Sequence, residues 1–290
     1  MLRRDWAAEA NLIAAFLNER LLDGERVVVG VSGGVDSDVV ARLAVRALGG
    51  ERVKLFLVRQ SDFSPVYVEN ARHLARDLGV RLVEVDLSAF PRALIAALAE
   101  ADPAEDFQPD AVIDPNRAKC SLRTFLLSTY QDRGHVVLGT SNLTEITLGF
   151  FLPFGDGIWH LGPIAHLYKS EVFALARAVG TAAAVIEQPP SAGFWEGQTD
   201  LHDLAHWLTI GQPVGKERDW SEGELAEVDR IHETLDFGRL DTALRLLPQA
   251  DDPRVADESG LPVDVVGRLR AVVNRAAVIK NRPFGVRPSR

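Results

Sequence analysis

Six consecutive residues, Ser32-Gly33-Gly34-Val35-Asp36-Ser37, bring together the groups needed to hold a phosphate. Paired glycines let a backbone turn tightly and offer its N–H groups to an anion, and a helix starting just beyond them adds unpaired donors and a favourable dipole. Ahead of the loop, Arg26 to Val31 reads as a strand covered on both faces. After it, Asp38 to Leu48 has the apolar spacing of a helix packed on that strand. A Gly-Ser turn between strand and helix is the plainer reading of such a stretch. Asp36 argues for chemistry, because a carboxylate inside an anion-binding loop makes electrostatic sense when Mg²⁺ bridges it to phosphate oxygens. The loop has no following Gly-Lys-Ser/Thr, and Gly-x-Gly-x-x-Gly is absent from the chain.

The elements that must position this loop alternate. A helix over Trp6 to Leu22 precedes the first strand. Val53 to Val58 and Arg81 to Asp86 read as strands on either side of a helix near Val66 to Leu78. A helix from about Asn116 to Tyr130 leads into a further buried strand, His135 to Thr140. This order predicts an α/β fold, a doubly wound parallel sheet with helices on both faces and right-handed crossovers. In such sheets ligands sit beyond the carboxyl ends of the strands, where the Ser32–Ser37 loop lies and where Arg59-Gln60-Ser61 would lie beside it. Ala101 to Pro115 reads as a loop placed to cover the site. Ser141 to Glu145 opens a short helix, from which Glu145 either points back as a second oxygen ligand to Mg²⁺ or faces solvent. From 201 to 290 the chain reads as mostly helical, with a capping box at Ser221-Glu-Gly-Glu224 and strong helical periodicity from Val263 to Val278.

At 290 residues the chain is long enough for one large core with a modest appendage, and 47% apolar with 25% charged residues is ordinary for a soluble protein. No run of eighteen apolar residues and no secretory leader is visible, so a cytoplasmic protein without membrane contact is expected. A net charge of −9 argues against a general nucleic-acid binder. Seven basic and no acidic residues between Arg268 and Arg290 form a solvated tail or a local anion grip. The lone Cys120 excludes an intramolecular disulfide and a cysteine-built zinc site. It reads either as a thiolating nucleophile or, with no second cysteine to resolve a persulfide, as a small buried residue. His202 and His206 are four apart, a metal-binding spacing, but without a third ligand they read as surface histidines.

Ser-Gly-Gly-x-Asp-Ser after a strand is the signature of the PP-loop ATP pyrophosphatases. Within that superfamily several blocks resemble the ammonia-dependent NAD synthetases: Gly139-Thr-Ser-Asn-Leu-Thr-Glu145, Gly149-Phe-Phe-Leu-Pro-Phe-Gly-Asp-Gly157, Pro163, Leu167-Tyr-Lys-Ser170 and Gln188 to Asp200. The similarity runs without gaps from Gly139 to Ser191, extends loosely from about Asn11 to Lys280-Asn-Arg-Pro283, and thins after Asp200. The resemblance implies one PP-loop domain over 1–290 without the glutaminase domain some NAD synthetases carry, and a homodimer. It also implies a reaction in which a substrate carboxylate is adenylated by ATP, pyrophosphate leaves, and ammonia displaces AMP. The default acceptor is deamido-NAD.

Residue by residue, the resemblance puts ATP at Gly30, Val31, Ser32, Gly33, Gly34, Val35, Asp36, Ser37, Thr140, Lys169 and Ser191, and Mg²⁺ on Asp36 and Glu145. Asp36 and Lys169 become the catalytic pair, with Lys169 facing phosphate oxygens. Acceptor positions fall at Arg117, Lys119, Arg123, Phe151, Pro153, Asp156, Trp159, His160 and Lys280. Here the chain departs from the pattern. Pro153 stands where the family has lysine, His160 where it has aspartate, and Ile279 where it has histidine. Those departures leave room for another carboxylic acid as acceptor, selected with the help of Trp159 and His160. A sulfur transferase and a silent nucleotide-binding module are the readings from other classes.

Overall fold

Val27, Val28 and Val29 have no accessible surface, as a strand covered on both faces requires, and they form the middle of a four-stranded parallel sheet. The computed structural model describes residues 5–59, 64–193, 197–214 and 217–280, apart from the side chains of 277–280. Gln60 and Ser61, Trp195 and the 281–283 part of the tail therefore lie outside the described residues, as do the side chains of Ile279 and Lys280.

The strands are β1 (Arg26–Gly30), β2 (Val53–Arg59), β3 (Leu82–Asp86) and β4 (His135–Leu138), in the order β3-β2-β1-β4. Val28 is paired with Lys54 on one side and Val137 on the other. The chain builds outward from β1 through β2 and β3, then returns to place β4 on the opposite flank. That reversal creates a switch point between β1 and β4, the place where an open α/β sheet leaves a crevice for a ligand.

Alternate residues of β1 serve opposite layers. Val27 and Val29 pack with α1 (Trp6–Arg20) and α2 (Val35–Leu48), and Leu167, Val172 and Leu175 bring in α7 (Lys169–Val179). Val28 and Val137 pack on the other side with Leu122, Leu126, Leu127 and Tyr130 of α5 (Ile113–Gln131). The crossovers are completed by α3 (Pro65–Leu78) and α4 (Phe90–Ala101), and the short α6 (Leu143–Leu148) and α8 (Ala183–Glu187) flank the carboxyl edge. Beyond them, α9 (Asp200–Ile210), α10 (Glu222–Thr234), α11 (Phe237–Leu246), α12 (Asp252–Ser259) and α13 (Val263–Lys280) enclose a second apolar cluster, centred on Leu204, Leu208, Ile231, Leu240 and Leu269. The Asp241 carboxylate fastens this cluster to the first layer, accepting from Thr144 Oγ1 at 2.5 Å and Ser170 N at 2.8 Å.

Several boundaries differ from expectation. The 101–115 stretch is not all loop: Pro103–Glu105 is a single 3₁₀ turn, and α5 starts at Ile113 so that Pro115 sits in its first turn, where a missing N–H costs nothing. The first helix ends at Arg20 instead of Leu22. β4 stops at Leu138, but the sheet continues in another segment: His160 N donates to the Val137 carbonyl at 3.0 Å and Gly139 N to the Leu161 carbonyl at 2.8 Å. The Ser221 capping box forms as read.

Candidate active site

The loop after β1 keeps sheet geometry for one more residue, with Val31 N donating to the Phe56 carbonyl at 2.7 Å, and then turns through Gly33 at φ +84°. A Cβ on Gly33 would lie 2.1 Å from the Tyr67 carbonyl oxygen, so glycine is required there by conformation and by space. Ser37 Oγ braces the turn, accepting from Ser32 N at 3.2 Å and donating to the Gly34 carbonyl at 3.0 Å. Gly34 is the N-cap of α2 and makes no side-chain capping bond, which leaves the first-turn N–H groups for a ligand.

These residues form the floor of a cavity of about 1030 Å³ at the carboxyl end of the sheet. Of the nucleotide positions, Gly30, Val31, Ser32, Gly34, Val35, Asp36, Ser37, Thr140, Lys169 and Ser191 line it, while Gly33 forms the turn beneath. Asp36 stands at its centre. Lys169 Nζ donates to Asp36 Oδ2 at 2.5 Å and lies 3.6 Å from Glu145 Oε1; Asn142 Nδ2 donates to Asp36 Oδ1 at 3.0 Å and to Glu145 Oε1 at 2.7 Å. Glu145 is thus brought to the loop face by a helix only six residues long, whose N-cap Asn142 it caps in return.

The electrostatics are crowded. Burial, with Asp36 close by, pushes the Glu145 carboxyl up to about 8, although 24% of its side chain opens to the cavity. Asp200, at the start of α9, is also raised by burial and faces the same cluster. Burial works against the Lys169 ammonium, but Asp36, Glu145 and Asp200 outweigh it and hold its pKa above the ordinary lysine value. In this structure Lys169 therefore faces carboxylates, where the sequence pattern put phosphate oxygens. Asp203, which accepts from Gln198 Nε2 at 2.6 Å, is raised to about 7 by burial.

The far end of the cavity is built by α5 and by the segment after α6. Arg117, Lys119, Arg123, Phe151, Pro153, Asp156 and Trp159 line it. Trp159 packs its ring so closely on Gly139 that a Cβ there would lie 2.3 Å away. His160 is not among the lining residues: its Nδ1 accepts from Val137 N at 2.9 Å, so its ring closes the sheet edge and is turned to structural use. The Lys280 side chain lies outside the described residues.

Cys120 is a buried residue of α5, and burial raises its thiol pKa, which disfavours the thiolate. His202 and His206 are half-buried, not surface residues: their rings meet edge to face at 4.7 Å, His202 also meets His232 at 5.2 Å, and His206 meets Trp220 at 4.7 Å. Sequence reasoning passed over Asn142, Asp200 and the cavity-lining His206 and Trp220 as site residues. Asn142 alone carried a usable signal, an N-cap residue three before a glutamate.

The model of the NAD synthase family matches residues 8–274 of this chain. The NH(3)-dependent NAD(+) synthetase of Methanocaldococcus jannaschii is 36% identical over 197 residues, covering 67% of this chain and 74% of that protein. The protein of the same name from Pyrococcus furiosus is 31% identical over 267 residues, 87% of this chain and 98% of the other. Among solved structures, the NH3-dependent NAD synthetase from Campylobacter jejuni superposes with a TM-score of 0.70 at 20% identity, covering 98% of this chain and all of that one. The NMN synthetase from Francisella tularensis gives 0.63 at 24% identity over 80% of this chain and 94% of that one. At those identities the structures speak to the fold, which is shared.

Proposed function

The chain belongs to the NAD synthase family, and on that premise we propose that it makes NAD from deamido-NAD, ATP and ammonia as a carbon–nitrogen ligase. The observation that carries this reading is a single cavity uniting the phosphate loop and the Asp36–Lys169–Glu145 cluster with the cationic face of α5. Single-ligand pockets span about 300–1,000 Å³. A cavity of about 1030 Å³ suits a site that must hold a nucleotide and a second substrate together.

The chemistry follows from the substrate. A pyridine carboxylate is a poor electrophile, and adenylation gives its carbonyl carbon a good leaving group. The carboxylate oxygen attacks the α phosphorus of ATP and pyrophosphate departs. Ammonia then adds to the acyl carbon, AMP leaves, and the nitrogen gives up a proton. The first-turn N–H groups of α2 face the negative charge that builds on the polyphosphate. Arg117 and Arg123 supply positive charge beside the acceptor, and Trp159 and Phe151 form an apolar wall that limits water.

Three carboxyl groups, Asp36, Glu145 and Asp200, surround the one ammonium of Lys169; burial and mutual repulsion raise Glu145 and Asp200, and a cation held by these hard oxygen donors, as Mg²⁺ would be, favours their charged forms. Among the described residues no group of three or more His, Cys, Asp or Glu is placed to hold a metal ion by itself. Mg²⁺ takes one or two carboxylates and completes its shell from phosphates and water. Asp36 and Glu145 would hold it, and its contribution would be to neutralise the pyrophosphate leaving group.

The same proposal includes a cytoplasmic protein and a homodimer. Among the described residues no helix is long and apolar enough to cross a membrane. Phe90, Leu94 and Leu98 form an exposed stripe along α4, which packs on α5, where Phe125 is also exposed; such apolar surface suits burial against a second copy.

The test is to follow NAD and pyrophosphate in one tube containing ATP, Mg²⁺, ammonium and deamido-NAD. Equal amounts of the two products are expected, with none after EDTA treatment and none without deamido-NAD. Pyrophosphate release stimulated by a different acid, with no NAD from deamido-NAD, would sink the assignment.

A further inference from the structure

One contact joins two segments that line the cavity and belongs to none of the motifs that mark the family. Glu217 lies in the connection between α9 and α10, in the part of the chain where the resemblance thins. Its Oε1 accepts from Val112 N at 2.8 Å and from Ile113 N at 2.9 Å. Those are the first N–H groups of α5, whose N-cap residue Val112 offers no side-chain capping bond of its own. A carboxylate placed there satisfies two helix-terminal donors and complements the dipole. A second contact runs in the reverse direction: Arg117 Nη2 donates to the Val214 carbonyl at 3.3 Å.

The position of this clasp decides what it controls. The apolar contacts of α5 with the sheet come from its second half, Leu122, Leu126, Leu127 and Tyr130. Its first half carries Arg117 and Lys119, two of the cations that line the acceptor end of the cavity, and Arg123 follows in the half that packs on the sheet. That half is fastened from the opposite wall, by Glu217 and through Val214. Trp220, from the same connection, lines the cavity too.

We infer that Glu217 is a positioning residue for the acceptor: by capping the start of α5 it fixes Arg117, relative to the sheet-anchored Arg123, at the distance that suits an anionic, phosphate-bearing carboxylic acid. The nucleotide end, braced by its own loop and by Asp36–Lys169, does not depend on it. This inference rests on the NAD synthetase reading for the identity of the acceptor.

The experiment measures KM for deamido-NAD and for ATP separately, together with ATP binding by the free protein, in Glu217→Ala and Glu217→Gln. In Glu217→Ala the deamido-NAD KM should rise about tenfold, the size of effect a lost charge-assisted contact produces, while KM and Kd for ATP stay within about twofold. Glu217→Gln keeps an Oε1 able to accept from both N–H groups and should restore most of the deamido-NAD KM. Amide exchange at Val112 and Ile113 should quicken in Glu217→Ala and recover in Glu217→Gln. An unchanged deamido-NAD KM in Glu217→Ala overturns the inference, as does a parallel rise in ATP KM or a Gln variant as impaired as the Ala one. Absence of NAD formation by the unaltered protein is a separate outcome: it removes the NAD synthetase reading, while the exchange arm still decides whether the clasp exists.

Discussion

At the nucleotide end of the cavity Asp36 receives Lys169 at 2.5 Å and Asn142 at 3.0 Å inside a buried network, whereas at the acceptor end Arg123 reaches the Cys120 sulfur at 3.5 Å and Arg117 a backbone carbonyl at 3.3 Å. The first set pairs charges with the ammonium buried and the carboxylates only partly open to the cavity. The second leaves cationic groups lightly engaged and facing open space. One end is pre-organised for a fixed charge pattern, the polyphosphate, and the other keeps binding capacity in reserve for an acid. The departure from the family pattern at Pro153 falls in the second region, whereas His160 lies outside it, held at the sheet edge by Val137.

The largest expected effect comes from breaking the tighter end. Lys169→Met removes the one ammonium among Asp36, Glu145 and Asp200, leaving buried carboxylates without their counter-charge. NAD formation should fall about 10³-fold, and stability to urea at pH 7 should drop by about 3 kcal/mol. The matching change at the acceptor end, Arg123→Met, should raise the deamido-NAD KM about tenfold and leave the urea midpoint nearly unmoved. Equal losses of stability in the two variants would erase the distinction drawn between the ends.

Gly33→Ala acts through the backbone. The new methyl would meet the Tyr67 carbonyl oxygen at 2.1 Å in a left-handed conformation, so the turn must shift. A cost of about 3 kcal/mol is expected, with ATP binding lost before deamido-NAD binding. Isothermal titration with ATP and a urea melt check both halves of that statement. ATP affinity within twofold of the parent would mean that the loop tolerates a different path.

The contrast also explains what the sequence revealed. The phosphate loop was legible because strand, glycines, carboxylate and helix start are contiguous. The place of Glu145 was left open between the loop face and solvent by its position at a helix start, and the structure turns it to Lys169 and Asn142; the alternating elements predicted the sheet. Asp200 was not legible, since it reaches Lys169 through folding over a separation that leaves no local pattern. Glu217 gave no signal either: a glutamate in a polar connection looks solvated until α5 arrives beside it. Pro115 was read as loop punctuation although the first helical turn tolerates it, which is why α5 begins earlier than expected. His160 looked like an acceptor ligand because spacing alone cannot show that its Nδ1 is spent on Val137 N.

The mildest substitution probes the cavity wall from the chemical side. Cys120 lines the cavity beside Arg123 of the acceptor end, so thiol chemistry is the one alternative for which a reactive group stands in place. Its surroundings oppose that role. The thiol is 5% exposed, burial raises its pKa, and Arg123 provides one long hydrogen bond at 3.5 Å, too little to offset the loss of hydration that a thiolate would suffer. Its Cβ also packs 3.2 Å from where a side chain on Gly155 would begin, which marks it as a space-filling residue of α5. Cys120→Ala should therefore cost about 1 kcal/mol in stability and leave kcat for NAD formation within about twofold. Any change in the deamido-NAD KM should be slight and should exceed the change in ATP KM, because the lost sulfur touches Arg123 and not the phosphate loop. A collapse of kcat with ATP binding intact would instead place the sulfur in the reaction, and the division into a nucleotide end and an acceptor end would have to admit a third participant between them.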